Sequence, residues 1–231
     1  MNYFGAALVL FVLLHVGVAA TGLRARLVNA VGEAPYRGLF SLVSFALLAF
    51  LAFGFHDMRT NPFDPLNEMM WLPSPELRGP GYVLVAFGFT IGVAGLLTKN
   101  PTAAFFESAL NDAEPTRGIL RVTRHPFLWG VAFWAAGHLL MNGERFAVML
   151  FGALGAMALY GSRSIDRKRA ALNPEGWARF AAVTSSVPFA AIVQGRNRLR
   201  VGEMWWRLIA GLAVFFAMGF AHQWLIGAPA F

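Results

Sequence analysis

The chain has 231 residues, of which 57% are hydrophobic and 13% are charged. An ordinary soluble domain is about 25% charged, so this composition excludes a soluble enzyme and indicates a membrane protein. The sequence contains no cysteine, which excludes disulfide scaffolds and thiolate chemistry, so any metal needs nitrogen or oxygen ligands. The net charge of +7 is attributed to arginines that face lipid headgroups, and no nucleic-acid partner is expected.

Six apolar runs approach the length of about 20 residues that a helix needs to cross a bilayer. We therefore predict an all-α, polytopic membrane helix bundle with about six transmembrane helices, forming a single domain over residues 1–231 in contact with the lipid bilayer. An even number of spans places both termini on one side. The predicted spans are Tyr3 to Gly22, Gly38 to Phe55, Gly81 to Thr98, Pro126 to Met141, Phe146 to Gly161 and Met204 to Ile226.

The basic residues predict which side the termini occupy. Fifteen of the 19 Lys and Arg residues lie in the first, third and fifth loops. Because basic loops are retained in the cytoplasm, both termini are predicted on the non-cytoplasmic side of a bacterial inner membrane. The fifth loop is predicted to form a small cytoplasmic cap (residues 163–203), in which the fifth helix continues past Ser164. A short helix then begins with Asn173 as its cap and Pro174 at its first position.

Two histidines lie deep inside predicted spans. With about 1.5 Å of rise per residue and a core of about 30 Å, His15 lies about 16 Å and His138 about 12 Å below the outer surface. Two imidazoles at one depth on separate helices suit the axial ligation of haem iron. Covalent attachment would need cysteine, so the haem would be of b type. Hydrogen bonds to neighbouring helices are the alternative explanation, and spacing alone leaves it open.

The surroundings of His138 add further candidates. Gly130 and Gly137 are interpreted as leaving room for a flat macrocycle, and Trp134 lies one turn from His138 on the same face. A cationic cluster below the fourth span could pair with haem propionates through bidentate hydrogen bonds, or could simply anchor the span at the cytoplasmic surface. This cluster consists of Arg121, Arg124 and His125. Because the predicted iron depth is nearer the outer surface, the propionates could instead reach Arg59, Arg78 or water.

The stretch from Gly118 to Gly130, continued by Trp134 and His138, resembles the NnrU family of bacterial membrane proteins and the related plant zeta-carotene isomerases. Matching segments follow the same order along nearly the whole chain: Leu14 to Gly17, Pro35 to Phe40, Asp166 to Lys168, Thr184 to Ile192 and Phe220 to His222.

The resemblance implies a haem b protein in which His15 and His138 are the iron ligands and the catalytic pair. It implies either cis–trans isomerisation of an apolar, carotenoid-like polyene or a role in nitrite and nitric oxide metabolism with a nitrogen-oxide ligand. One position differs, because Ala135 stands where the plant enzymes carry a cysteine.

Two other functions stay open at this point. Arg124-His125-Pro126 with Gly130 also resembles the cofactor-binding stretch of isoprenylcysteine carboxyl methyltransferases. That resemblance implies S-adenosylmethionine held by Arg124, His125, Asp166 and Arg167, although the acidic pair expected beyond the fifth span is replaced by Ser164-Ile165-Asp166. The other function is that of a cofactor-free assembly or regulatory protein. The sequence does not indicate an oligomeric state.

Overall fold

The structure is a computed structural model that describes residues 3–61 and 63–230. Of the described residues, 75% are helical, and they contain no strand, only an isolated antiparallel bridge between Met69 and Glu144. The α-helices are α1 (Tyr3–Val12), α2 (Leu23–Val31), α3 (Glu33–Thr60), α4 (Arg78–Leu96), α5 (Pro126–Met141), α6 (Arg145–Leu172), α7 (Pro174–Val183), α8 (Ala190–Val193) and α9 (Trp205–Ile226).

The prediction of an all-α membrane protein is confirmed. In the described part of the chain, four helical segments are long and apolar enough to cross a membrane. They are α3, α6, α9 and the segment Pro75–Leu96, which contains α4. The first predicted span makes a fifth only if α1 and α2, which are bent by 84° at a short break, count together. The helix α5 is apolar but has only 16 residues. The count of six spans and the orientation of the termini stay predictions.

The bundle has two ends, which we name by residues. At the Phe146 end, the Phe4 and Phe146 rings are 6.3 Å apart, so the start of α1 lies beside the start of α6. A Cβ on Gly54 would be 2.8 Å from the Phe4 Cβ, which places the end of α3 there as well. At the Asp166 end, Arg124 before α5 pairs with Asp166 near the end of α6. Because α5 leads through a short loop into α6, it runs towards the Phe146 end, antiparallel to α1.

Aromatic side chains form the core that joins α1, α3, α5 and α6. Phe55 lies 4.8 Å from Phe146 and 5.9 Å from Phe151, measured between ring centroids, and Phe4 and Phe11 are buried in the same cluster. Apolar surface gains little by leaving lipid, so close packing and polar contacts hold such helices together. The interlocked aromatic rings supply that packing here.

Glycines hold α5 against α4. A Cβ on Gly130 would lie 2.6 Å from the Cα of Gly92, and a Cβ on Gly137 would lie 2.5 Å from the carbonyl oxygen of Gly81. Small residues allow helix backbones to approach this closely. The interpretation of Gly130 and Gly137 as room for a macrocycle is therefore wrong, because the backbone of α4 fills that space.

The helical part of the predicted cap is confirmed. The helix α6 continues past Ser164 to Leu172, and α7 starts at Pro174. Asn173 caps α7, since its side-chain oxygen accepts a hydrogen bond of 2.9 Å from the Gly176 amide. The buried Phe180 packs α7 against a second apolar cluster around α4. The cytoplasmic location of this cap stays a prediction.

Candidate functional site

His15 lies on a backbone irregularity that the sequence did not predict. The segment Leu13–Val18 is a π-helical turn, closed by a hydrogen bond of 3.0 Å from the Ala19 amide to the Leu14 carbonyl. Single π turns within α-helices occur frequently at functional sites. The His15 Nδ1 is 2.9 Å from the Phe11 carbonyl oxygen, so it donates a proton there. In the neutral ring, Nε2 then carries the lone pair that binds a metal.

His138 makes the same kind of hydrogen bond on α5. Its Nδ1 is 2.8 Å from the Trp134 carbonyl oxygen, one turn earlier in the helix. This contact fixes the tautomer and the ring orientation, as backbone carbonyls do for histidines that ligate metals. The Nε2 atoms of both histidines are therefore the nitrogens left for a ligand.

Both imidazoles border the aromatic core. The His15 ring centroid is 4.2 Å from that of Phe11 and 5.0 Å from that of Phe40. The His138 ring stacks on Phe151 at 4.5 Å with an interplanar angle of 28° and lies 4.7 Å from the Trp134 ring. Phe11 and Phe151 belong to one buried cluster, with Trp134 packed against it, so the same apolar core reaches both histidines.

The two histidines differ in depth more than the sequence predicted. His138 is level with Phe151, five residues below Phe146, whereas His15 is eleven residues below Phe4. At about 1.5 Å per residue, the backbones are offset by about 9 Å. Side chains tilt towards the start of their own helix, and these two helices are antiparallel. Each imidazole therefore leans towards the level of the other, which narrows the offset.

The donor set decides which metal group these residues fit. In residues 3–61 and 63–230, no three His, Asp or Glu side chains gather as ligands for a single ion. Two separate imidazoles with fixed tautomers fit the axial ligation of haem iron, and they do not fit a tetrahedral zinc site.

The residues predicted to bind the haem propionates form ion pairs with carboxylates of the chain itself. Arg124 Nη2 is 2.5 Å from Asp166 Oδ2, and His125 Nε2 is 2.6 Å from Asp166 Oδ1. Arg121 makes two hydrogen bonds, of 2.8 and 3.0 Å, to the carboxylate of Glu203. Asp166 thus brings Arg124 and His125 together, while Arg121 belongs to a separate ion pair.

The charge states of these pairs follow from their surroundings. Burial lowers the pKa of His125, although its hydrogen bond and attraction to Asp166 oppose that shift. The hydrogen bond from Arg121 lowers the pKa of Glu203 to about 2, assisted by the Gly118 amide. Both ion pairs connect the segment before α5 to a distant part of the chain. Asp166 lies on α6, and Glu203 lies in the turn before α9.

A cavity of about 340 Å³ lies beside His125, between the Asp166 ends of α4, α5 and α6. Its walls are mainly apolar, and two of its polar lining residues, Asn100 and Thr102, hydrogen-bond to the Arg124 carbonyl. A methyltransferase would hold its cofactor in this region. Arg124, His125 and Asp166 are bound to one another, and Arg167 is exposed. Binding of S-adenosylmethionine stays a prediction.

Sequence reasoning missed two aromatic residues that surround the histidines, Phe40 and Phe151. Both lie in apolar runs that contain many phenylalanines, so composition gave them no distinction. A usable signal for Phe40 was its spacing of four residues from Tyr36, because residues four apart share one face of a helix.

Comparison with known proteins identifies relatives along nearly the whole chain. The family described as NnrU protein matches residues 3–230. The chain is 29% identical over 199 residues to the chloroplastic 15-cis-zeta-carotene isomerase of Zea mays, and 29% identical over 196 residues to that of Arabidopsis thaliana. Each alignment covers 83% of this chain and 50% of the relative, so the chain spans about half the length of these curated relatives. No solved structure gives a significant match.

Proposed function

The chain belongs to the NnrU protein family, and on that premise we propose that it is a haem b-dependent isomerase of the bacterial inner membrane. Its substrate is an apolar, carotenoid-like polyene in which one cis double bond becomes trans. The relatives named 15-cis-zeta-carotene isomerase support the reaction class. The observation that carries the proposal is the pair of imidazoles, His15 and His138, each anchored through Nδ1 to its own helix.

His15 and His138 would hold the haem iron through Nε2, because the Phe11 and Trp134 carbonyls accept hydrogen bonds from the opposite ring nitrogens. A bound haem would supply an iron centre that withdraws electron density from a conjugated double bond and so lowers its barrier to rotation. Isomerisation forms and breaks no σ bond, so the site needs no proton donor or acceptor. The chain's own contribution is to fix the ligands and to exclude water.

The aromatic residues suit an apolar substrate. Phe11, Phe40, Phe151 and Trp134 surround the two imidazoles with apolar surface. Binding sites for apolar molecules are lined mainly by such side chains, with few polar groups. These rings therefore offer a polyene apolar contact surface beside both histidines.

The experiment is an isomerase assay on protein purified in detergent and loaded with haem b. 15-cis-zeta-carotene is the substrate, and chromatography separates the cis and trans forms. His15→Ala and His138→Ala are each expected to lower the rate by at least about a hundredfold, since each would remove one of the two proposed haem ligands. His56→Ala is the matched control, because His56 is exposed at the Phe146 end, and it is expected to keep the wild-type rate. Full activity in either ligand variant would contradict the proposal.

The role in nitrite and nitric oxide metabolism, with a nitrogen-oxide ligand, stays a prediction. The chemistry of the two histidines would also suit it, and the described residues offer nothing that favours it over isomerisation.

A further inference from the structure

A basic cluster lies at the Asp166 end, separate from Arg121 and Arg124. It contains four cations and two carboxylates, namely Arg24, Arg37, Lys168 and Arg169 with Glu33 and Glu107. Glu33 Oε1 lies 2.6 Å from both Arg24 and Arg37, and Glu107 Oε1 lies 3.1 Å from Arg37 and 3.2 Å from Arg169. The cluster therefore carries two positive charges that its own carboxylates do not balance.

Lys168 is the cation of this cluster that has no carboxylate partner among the described residues. Its ammonium donates a hydrogen bond to the Ala19 carbonyl, and the charged groups that act on it are Arg24, Arg167 and Arg169. A half-buried ammonium among three guanidinium groups is unfavourable unless an anion joins it.

Tyr36 provides a second unsatisfied group at the same place. Its side chain is buried, with 8% of its surface exposed, and its hydroxyl makes no hydrogen bond. The Arg24 guanidinium lies 5.5 Å from the centre of the Tyr36 ring. A buried hydroxyl is ordinarily hydrogen-bonded, so this one has a donor available for an acceptor that comes from outside the chain.

The cluster lies one helical turn from His15. Lys168 bonds to Ala19, which follows His15 by four residues, a rise of about 6 Å. On α3, the Tyr36 ring is 5.9 Å from the Phe40 ring, which is itself 5.0 Å from His15. The unbalanced cations and the free hydroxyl therefore lie next to the pocket wall formed by Phe40, towards the Asp166 end.

We propose that Arg24, Lys168 and the Tyr36 hydroxyl form the site that binds the propionate carboxylates of the haem. Two propionates carry two negative charges, which match the two unbalanced cations. This inference rests on the proposed function, because it concerns the same haem. It replaces Arg121, Arg124 and His125 as propionate partners, because Glu203 and Asp166 balance the guanidinium charges of Arg121 and Arg124, whereas the four cations of the basic cluster share only two carboxylates.

The test compares haem b with its dimethyl ester, in which both propionates are uncharged. Purified apoprotein in neutral maltoside detergent is titrated with each compound, and the Soret absorbance gives the dissociation constant. The charged propionates gain charge-assisted hydrogen bonds that the ester cannot make, so wild type is expected to bind haem b at least about tenfold more tightly than the ester. Lys168→Met, Arg24→Gln and Tyr36→Phe are expected to lose most of that preference while still binding the ester.

Arg26→Gln is the control, because Arg26 is an exposed arginine on the same helix as Arg24, and it is expected to keep the full preference. If wild type binds both compounds equally, the propionate site is overturned while the haem proposal stands. If wild type binds neither, the proposed function itself fails. If a variant loses both compounds to the same degree, its residue supports the fold and not the carboxylates, which also contradicts the inference.

Discussion

Replacing Gly137 by alanine tests whether contact with α4 positions His138. The added Cβ would lie 2.5 Å from the Gly81 carbonyl oxygen, 2.7 Å from Val85 Cγ2 and 3.1 Å from the Val85 amide nitrogen. Two of these atoms are backbone and cannot rotate away. Overpacking costs about 1–3 kcal/mol, and an alanine in place of a helical glycine returns up to about 1 kcal/mol. Three contacts this short place the overpacking cost near its upper limit of about 3 kcal/mol, so we expect a net loss of about 2 kcal/mol.

The substitution should also displace His138, since Gly137 immediately precedes it on α5. Ordinary contact begins near 3.4 Å, so the helices must separate by almost 1 Å locally. A misplacement of about 1 Å can lower catalytic rates by about a hundredfold. Unfolding in mixed detergent micelles, followed by tryptophan fluorescence, measures the stability, and the isomerase assay measures the rate.

Gly152→Ala is the matched control on α6, because a Cβ there would meet nothing within 4 Å. It should leave stability unchanged or raise it by up to about 1 kcal/mol. Equal effects of the two substitutions would refute the reasoning that contact between α4 and α5 sets the position of His138.

Two further predictions concern the ion pairs around α5. Asp166→Asn removes the charge partner of both Arg124 and His125, and breaking a buried pair costs up to about 3–5 kcal/mol in denaturant unfolding. Asp112→Asn is the control at a more exposed pair and should cost less than about 1 kcal/mol. Equal losses in the two variants would contradict this prediction. The pKa of Glu203 falls from 4.5 to about 2, so its stabilising effect is complete above pH 4.5 and disappears as the pH falls towards 2. The melting temperature of wild type should therefore drop more across that interval than the melting temperature of Glu203→Gln. Parallel curves for the two proteins would refute this prediction.

Apolar run length predicted most of the helices. The helix α5 has the predicted bounds, and α9 begins one residue later than predicted. Helix ends beyond the apolar runs were harder to predict, because hydropathy marks only the apolar part of a helix and gives no signal where the helix continues with polar residues. The helix α6 continues eleven residues past Gly161, where Asp166 and Arg169 make contacts with other segments.

The first span shows a different limit. Its residues up to Gly22 are apolar enough for one straight helix, and hydropathy contains no signal for a π turn at Leu13–Val18. A tertiary contact, the hydrogen bond from Lys168 to Ala19, lies at the break after that turn, where the chain bends by 84°. A single sequence read for local pattern cannot contain such contacts.

The candidate site divides in the same way. Depth counting selected His15 and His138, because a histidine inside an apolar run is rare and is expected to have a function. It could not show that Gly130 and Gly137 face α4, nor that Arg124 and His125 are both bound by Asp166. Those facts depend on which face of each helix meets a neighbour, and small or charged residues alone do not indicate it.

The most direct test is the visible absorption spectrum of the chain, purified from cells supplied with iron. We predict one haem b per chain, with a Soret band and resolved α and β bands in the reduced state. Substitution of either His15 or His138 by alanine should alter that spectrum, whereas substitution of His56 should not. A colourless protein that also fails to take up added haem b would contradict the proposal that His15 and His138 hold a haem.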